Sequence, residues 1–263
     1  MNKFYIQIAL FLLSVSVYLN NRTLATEPAL GEDTKTKSKK CYPTSEEIYE
    51  KNKHLLCTDP KEIENAVKLM NEAVKALEFH ATSKDDYILC GSNTFRNMVS
   101  YKKKHEGHTN VEKVIYRKDD PNKYNGTIDK FWDPDSDHFL FKKLDKKKIV
   151  RVYNPNLVMI QQRYKKWVLG HQKYFYALAA KVEISKDKTI IVMTSANIND
   201  HNPSDKEYKN TIIESANLFK TDIDSEEDIR NGKLKKTFLN IAGYLIKKYD
   251  KCVHITYIES ISD

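Results

Sequence analysis

The chain has 263 residues, enough for one large domain or two small ones, and 30% of them are charged. Lysine and arginine number 44 against 36 acidic residues, a formal charge of +8, which favours acidic partners such as anionic membrane surfaces. Lysine far outnumbers arginine, and neither an arginine-rich helix nor an aromatic stacking signature occurs, which argues against a nucleic-acid partner.

Residues 1–25 read as a secretory signal peptide. Met1-Asn2-Lys3 precedes an apolar run from Phe4 to Leu19, broken only by Gln7, Ser14 and Ser16, which is shorter than the ~20 residues of a membrane span. Thr23-Leu24-Ala25 then places small residues at −3 and −1 of a cleavage site. Residues 26–44 form a polar, lysine-rich linker with the composition of a disordered segment. A short helical segment over 45–58 opens on the capping-box pattern Thr44-Ser45-Glu46-Glu47.

From residue 59 to 263 the chain reads as one domain. Asp59-Pro60-Lys61-Glu62 supplies a side-chain cap, a proline at the first helical position and an early glutamate. Ile63, Ala66, Val67, Met70, Ala73, Val74 and Leu77 follow at helical spacing, predicting an amphipathic helix to about His80. Tyr87–Cys90, Phe95–Lys102 and Val111–Lys118 read as strands. Asp120-Pro121 starts a second helix with Tyr124, Ile128 and Trp132 on one side, ended by Asp133-Pro134-Asp135, with a short helical turn over Phe139–Phe141.

Four apolar segments come next: Ile149–Tyr153, Leu157–Tyr164, Tyr174–Ile184 and Thr189–Ile198. The short punctuation between them predicts an antiparallel meander. Along these strands Val158, Ile160, Gln162 and Tyr164 share a face, and so do Tyr174, Tyr176, Leu178, Ala180 and Val182. An apolar face carrying phenols and an amide suits a lipid-filled hollow as well as a dry core. Thr211–Ile223, Phe238–Tyr249 and Val253–Glu259 complete the list of strands. Helices segregated from a long antiparallel run make the fold class α+β.

Chemistry-bearing motifs are sparse. The seven glycines form neither a phosphate loop nor a dinucleotide fingerprint, and no Gly-x-Ser-x-Gly elbow is present. His105-Glu106-Gly107-His108 lacks the i, i+4 spacing of a helical zinc motif and reads as a solvated loop. Asp133, Asp135 and Asp137 lack the glycine and glutamate of a calcium loop and read as a helix-end cap. His138 and His171 stand alone. Nothing pairs a nucleophile with a base, so the sequence does not argue for an enzyme. Cys41, Cys57, Cys90 and Cys252 allow three disulfide pairings, of which Cys41 with Cys57 would close a short loop.

Several strings carry a resemblance across the whole chain: the leader Met1-Asn2-Lys3-Phe4, Asn21-Arg22-Thr23-Leu24-Ala25-Thr26-Glu27-Pro28, Cys41-Tyr42-Pro43-Thr44-Ser45-Glu46-Glu47, residues 103–113, Trp132-Asp133-Pro134-Asp135, residues 148–199 and residues 228–244. They resemble the malaria-parasite (Plasmodium) fam-a family, which carries a START-like (StAR-related lipid transfer) domain. The resemblance implies a helix-grip fold, a curved antiparallel sheet with helices over its opening. The closing C-terminal helix reads as truncated, and Ile63–His80 is long enough to stand in for it.

The implied activity is non-enzymatic binding and transfer of a phospholipid, phosphatidylcholine by preference. No cofactor is implied beyond that bound lipid. The implied partners are the lipid and, transiently, anionic membrane surfaces, with the chain a monomer. The implied lipid-binding set is Trp132, Asp133, Arg151, Tyr153, Val158, Ile160, Gln162, Tyr164, Tyr174, Tyr176, Leu178 and Met193. Within it Asp133 matches the head-group aspartate, and Tyr174 and Tyr164 match tyrosines of the choline-binding strands. The family's phosphate-pairing arginine is Asp129 here and its cage tryptophan is Ile160, so Arg151 or Arg163 would supply the missing charge. Arg22-x-Leu24 resembles the parasite's host-export element, with Thr26 where an acidic residue is usual. Secretion to the parasitophorous vacuole or export to the host erythrocyte is the implied address. The alternative is a degenerate START-like protein of the surface or host interface that transfers no lipid.

Overall fold

The computed structural model describes residues 42–106, 109–136, 146–165 and 170–262. The signal peptide, most of the linker, Cys41 and the turn at Phe139–Phe141 lie outside them. Helix α1 (Ser45–Lys51) begins with both halves of the capping box in place. Thr44 Oγ1 accepts from Glu47 N at 3.2 Å, and Thr44 N donates to Glu47 Oε2 at 2.7 Å. Helix α2 (Pro60–Thr82) starts where its cap predicts, with Asp59 Oδ1 accepting from Lys61 N at 2.9 Å. It runs two residues past His80. A buried ammonium closes its far end: Lys113 Nζ donates to His80 O (3.0 Å) and Ser83 O (2.5 Å) and lies 3.5 Å from the Tyr87 ring centroid. A cation is stabilising there because the last helical carbonyls lack amide partners.

Strands β1 (Ile88–Asn93), β2 (Met98–Lys104) and β3 (Asn110–Lys118) precede α3 (Tyr124–Trp132). The meander follows as β4 (Lys146–Asn154), β5 (Leu157–Tyr164), β6 (Lys173–Ser185) and β7 (Lys188–Thr194). Beyond it come β8 (Asn197–Asn199), β9 (Lys220–Asp222), the single turn α4 (Glu227–Arg230), β10 (Lys235–Lys236), β11 (Phe238–Lys248) and β12 (Val253–Ser262). One large curved sheet has the order β1-β2-β3-β12-β11-β7-β6-β5-β4, antiparallel throughout, with β10 added in parallel to β6. β8 and β9 make a separate parallel pair.

Two strand expectations are corrected. Thr211–Ile223 is not one long strand; only Lys220–Asp222, β9, is extended and paired. Asn210 Oδ1 accepts from Ile212 N (3.0 Å) and Ile213 N (2.9 Å), and the segment winds into a 3-10 turn at Glu214–Asn217. A side-chain acceptor of this kind competes with a ladder for the same amides. Thr189–Ile198 is interrupted after Thr194, where Ser195 N turns to Leu239 O and Ser195 Oγ donates to Tyr176 O at 2.6 Å. Cys57, Cys90 and Cys252 are free thiols.

The sheet buries both faces. α2 covers one, setting Leu69, Met70, Ala73 and Leu77 against Leu178, Ile190, Val192, Ile241 and Leu245. α3 covers the other, setting Ile128, Phe131 and Trp132 among Val158, Ile160, Met193, Tyr244, Ile246 and Tyr257. Each fully buried aliphatic side chain contributes about 1.5–3 kcal/mol through the area removed from water.

Candidate functional site

Strand register decides which candidate residues meet. β5 pairs with β6 so that Val158 lies opposite Ala179, Ile160 opposite Ala177 and Gln162 opposite Phe175. Met159, Gln161 and Arg163 lie opposite Leu178, Tyr176 and Tyr174. Directly opposed residues point to the same side of a sheet. The twelve residues of the expected lining therefore do not form one surface. Tyr153, Tyr174, Tyr176 and Leu178 belong to the α2 side, with Arg151 opposite Met159 there. Trp132, Val158, Ile160, Tyr164 and Met193 belong to the α3 side, with Gln162 in register among them and Asp133 directly after α3.

On the α2 side the polar groups are engaged by the protein itself. Tyr174 and Asp200 are 0% and 2% exposed, and Tyr174 Oη donates to Asp200 Oδ2 at 2.9 Å while Lys236 Nζ donates to Oδ1 at 2.7 Å. Burial and that carboxylate push the Tyr174 phenol far above its ordinary range. Gln161 Nε2 donates to Tyr176 Oη at 2.6 Å, and Tyr153 Oη donates to Glu62 Oε1 at 2.7 Å. Arg151 is held by Glu62 at 2.7 Å and by Asp222 O at 2.7 Å, and Arg163 grips Asp228 at 2.6 and 3.0 Å. These contacts fasten α2 and the segment from β8 to β10 onto the sheet. Tyr174 and Trp132 lie on opposite sides of the sheet, and Arg151 and Arg163 share the α2 side, although Arg163 also lines the larger cleft described below. Opposite-parity pairing of β5 with β6 is the cause.

Replacing Tyr174 by phenylalanine is expected to lower stability by about 1–3 kcal/mol, the cost of leaving a buried carboxylate short of a donor. Lipid uptake should be unchanged. A urea titration with a parallel lipid-extraction assay checks both.

The α3 side combines an apolar wall with a polar end. Phe131 stacks on Tyr244 with centroids 4.1 Å apart and planes at 13°, and Tyr244 meets Tyr257 at 5.0 Å. Tyr124 Oη and Thr189 Oγ1 lie 2.9 Å apart. Toward the start of β4, Lys147 stands opposite Gln162 and Ile149 opposite Ile160, so both share this face. Asp133 is 7% exposed, and its Oδ1 accepts from Asp135 N at 3.0 Å, closing the turn that ends α3. Trp132 Nε1 and Ser136 Oγ are buried without a hydrogen-bond partner, a state that costs stability unless an acceptor or donor reaches them. Two clefts open around this turn. The larger, about 850 Å³, is lined by Asp135, Ser136, Lys147, Arg163 and Asp228 among others; the smaller, about 590 Å³, by Glu47, Ile48, Asp133, Lys147 and Ile149.

The sequence places this strand from Ile149 and so leaves Lys147 outside it, whereas β4 begins at Lys146. Parity with Ile149 was the available signal. Among the described residues no three His, Cys, Asp or Glu side chains gather in a metal-binding group, and no helix is long and apolar enough to cross a membrane.

No family model and no curated protein matches the chain. Among solved structures it is similar to human StAR-related lipid transfer protein 5, at 9% identity over 76% of this chain and 82% of that one, with a TM-score of 0.52. The fold is START-like. Human STARD10 (12% identity, 72% of this chain and 66% of that one, TM-score 0.47) and a STAR-related lipid transfer protein fragment from Xanthomonas axonopodis (9%, 68% and 83%, 0.43) are also similar. The chain thus spans slightly less than two thirds of STARD10. In the START-like frame, the expected stand-in for a closing helix, Ile63–His80, lies within α2 and packs across β7 and β11.

Proposed function

We propose that this chain binds a phospholipid and carries it between membranes without a covalent step. The observation that carries the reading is the α3-covered face, where Val158, Ile160, Met193 and their neighbours lead to a polar end at Gln162, Lys147 and Asp133. These residues are packed as a core cluster, and opening it would set an apolar wall beside a polar end, in the same sense as the ligand. Acyl chains gain about 0.8 kcal/mol per buried methylene, and the polar end orients the head group. The START-like fold supports the reading, as does the name of the human lipid transfer protein it resembles. Phosphatidylcholine is the proposed cargo, and the lysine-rich surface would dock a monomer transiently on anionic leaflets. The leader and the fam-a strings support delivery after secretion, to the vacuole or the host erythrocyte.

Purified chain subjected to mass spectrometry of extracted lipid tests this. About one phospholipid per chain and transfer between vesicles are expected, and an empty protein that moves no lipid would refute the reading. One observation favours a second reading, a START-like surface or host-interaction protein that transfers nothing. Phe131, Trp132, Tyr244 and Tyr257 occupy much of the α3 side themselves. The same experiment separates the two.

A further inference from the structure

One end of the large sheet gathers three hairpin turns. Register puts them together: Met98 stands opposite Tyr116, Val253 opposite both Lys118 and Lys248, and Lys247 opposite Lys188, so the turns of β1–β2, β11–β12 and β6–β7 share that end. Lys147 and Gln162 belong to the other end. The β1–β2 turn closes in a 3-10 turn, Thr94–Arg96, with Asn97 N donating to Thr94 O at 3.2 Å and Asn97 at φ +47. Asparagine tolerates that left-handed conformation, and the turn leaves Phe95 wholly exposed. The β11–β12 turn presents Tyr249, 49% exposed, its ring 4.8 Å from that of His254. Only β3 separates these two hairpins, which sets their axes about 14 Å apart at the usual strand spacing. Lys247, Lys248 and Lys251 flank Tyr249, and Lys186 joins them from the β6–β7 turn, where Lys248 N donates to Asp187 O at 2.8 Å. Asp187 and Asp250 are the carboxylates of these two turns. The other acids at this end are engaged: Glu78 by Lys188, Asp119 by Arg117 and Asp120 by Lys123.

We propose that this end of the sheet is where the chain docks on an anionic membrane, Phe95 and Tyr249 entering the interfacial layer while Lys186, Lys247, Lys248 and Lys251 meet the lipid head groups. The inference rests on the docking part of the reading above and gives it a place. Aromatic side chains favour the layer between water and hydrocarbon, and each lysine held near an anionic leaflet strengthens binding about fivefold. The two aromatics stand too far apart to touch, so they make no continuous apolar patch of the ~800 Å² per partner that a stable protein interface buries. A leaflet needs no such patch and accepts separate apolar points set among cations. Docked this way, the strands hold Lys147 and Gln162 at the end away from the leaflet.

Cosedimentation of the full chain with vesicles of phosphatidylcholine, and of phosphatidylcholine mixed with phosphatidylserine, tests the location. Wild type is compared with Phe95→Ser, with Lys248→Gln/Lys251→Gln and with Lys209→Gln/Lys220→Gln, a control of equal charge change away from these turns. All five side chains are exposed, so the fold tolerates the changes. Wild type is expected to bind the anionic vesicles at least about tenfold tighter than the neutral ones. Lys248→Gln/Lys251→Gln should cost about 25-fold on anionic vesicles and little on neutral ones. Phe95→Ser should cost about tenfold on both, and the control pair should stay within about twofold of wild type because salt screens distant charges. Equal losses in the two lysine pairs would overturn the location, making the attraction a diffuse property of net charge. Unaltered binding by Phe95→Ser would overturn the aromatic anchor. Wild type that ignores anionic vesicles would remove the docking itself; lipid still extracted from neutral vesicles would then leave the carrier reading standing, and none extracted would remove that too.

Discussion

Replacing Gly243 by alanine is expected to destabilise the protein by about 3 kcal/mol or more, because overpacking and backbone strain act together there. Gly243 lies in the middle of β11 at φ +154, where an added Cβ would come within 2.1 Å of Ile191 O, 2.8 Å of Val192 Cα and 2.9 Å of Leu77 Cδ1. Two of those atoms are backbone of the paired strand β7, so relief requires the central ladder to part, and the third belongs to the helix lying across it. Gly126, in α3, is the control: an added Cβ meets nothing within 4 Å, and alanine there should raise stability by up to ~1 kcal/mol through helix propensity. Chemical denaturation of both variants reads the contrast. Equal midpoints would mean that neither the β7 backbone nor Leu77 of α2 crowds Gly243 this closely.

The second large effect is acid sensitivity. His80 is 4% exposed in the last turn of α2, with Nδ1 3.1 Å from Tyr87 Oη. The groups around it are cationic or neutral: Lys113 and Lys103 from β3 and β2, His105 at 6.1 Å, and Tyr87. Burial first, then those charges, lower its pKa from the ordinary 6.5 to about 4. A depressed histidine pKa means that the unfolded chain takes up a proton before the native one does. Stability is therefore unaffected by this group above about pH 6.5 and falls as the pH drops from there toward 4. About 2.5 pH units correspond to ~3 kcal/mol at most. Carboxylates held low by partners, such as Asp228 by Arg163, lose their contribution only as the pH falls below the ordinary carboxylate range. The window between pH 6.5 and 5 is where His80 acts. Urea midpoints across that window should slope for wild type and flatten for His80→Gln. An unaltered slope in the variant would assign the effect elsewhere.

The readable parts of this fold were those governed by local rules. The cap at Asp59, the capping box at Thr44 and the heptad-like stripe through Leu77 act within a few residues, and α1 and α2 begin where those signals stand. The meander from β4 to β7 was equally open, since short punctuation leaves antiparallel neighbours little choice. Segment 211–223 looked like a strand because Ile212, Ile213, Phe219 and Ile223 are apolar. The competing side chain, Asn210, acts through hydrogen bonds that no periodicity records. The site was half readable. Each strand's alternation was visible, but the join between strands was not, and one residue of register sends Tyr174 to the opposite side from Gln162. Lys147 stayed hidden for the complementary reason: a lysine among lysines looks like surface until its neighbour Ile149 is known to point inward.

The strand order has a consequence for how the protein is made. β12 and β11 stand between β3 and β7, so two strands made after both β1–β3 and β4–β7 are the ones that join the two halves of the sheet. A nascent chain that has reached β10 holds two separate meanders, each with a raw ladder edge seeking a neighbour. Closure brings together partners such as Lys113 and Ile258, distant in sequence, and such long-range pairing is slow. Until β11 and β12 are in place the centre of the sheet is missing, and the open edges of β3 and β7 invite the wrong strand.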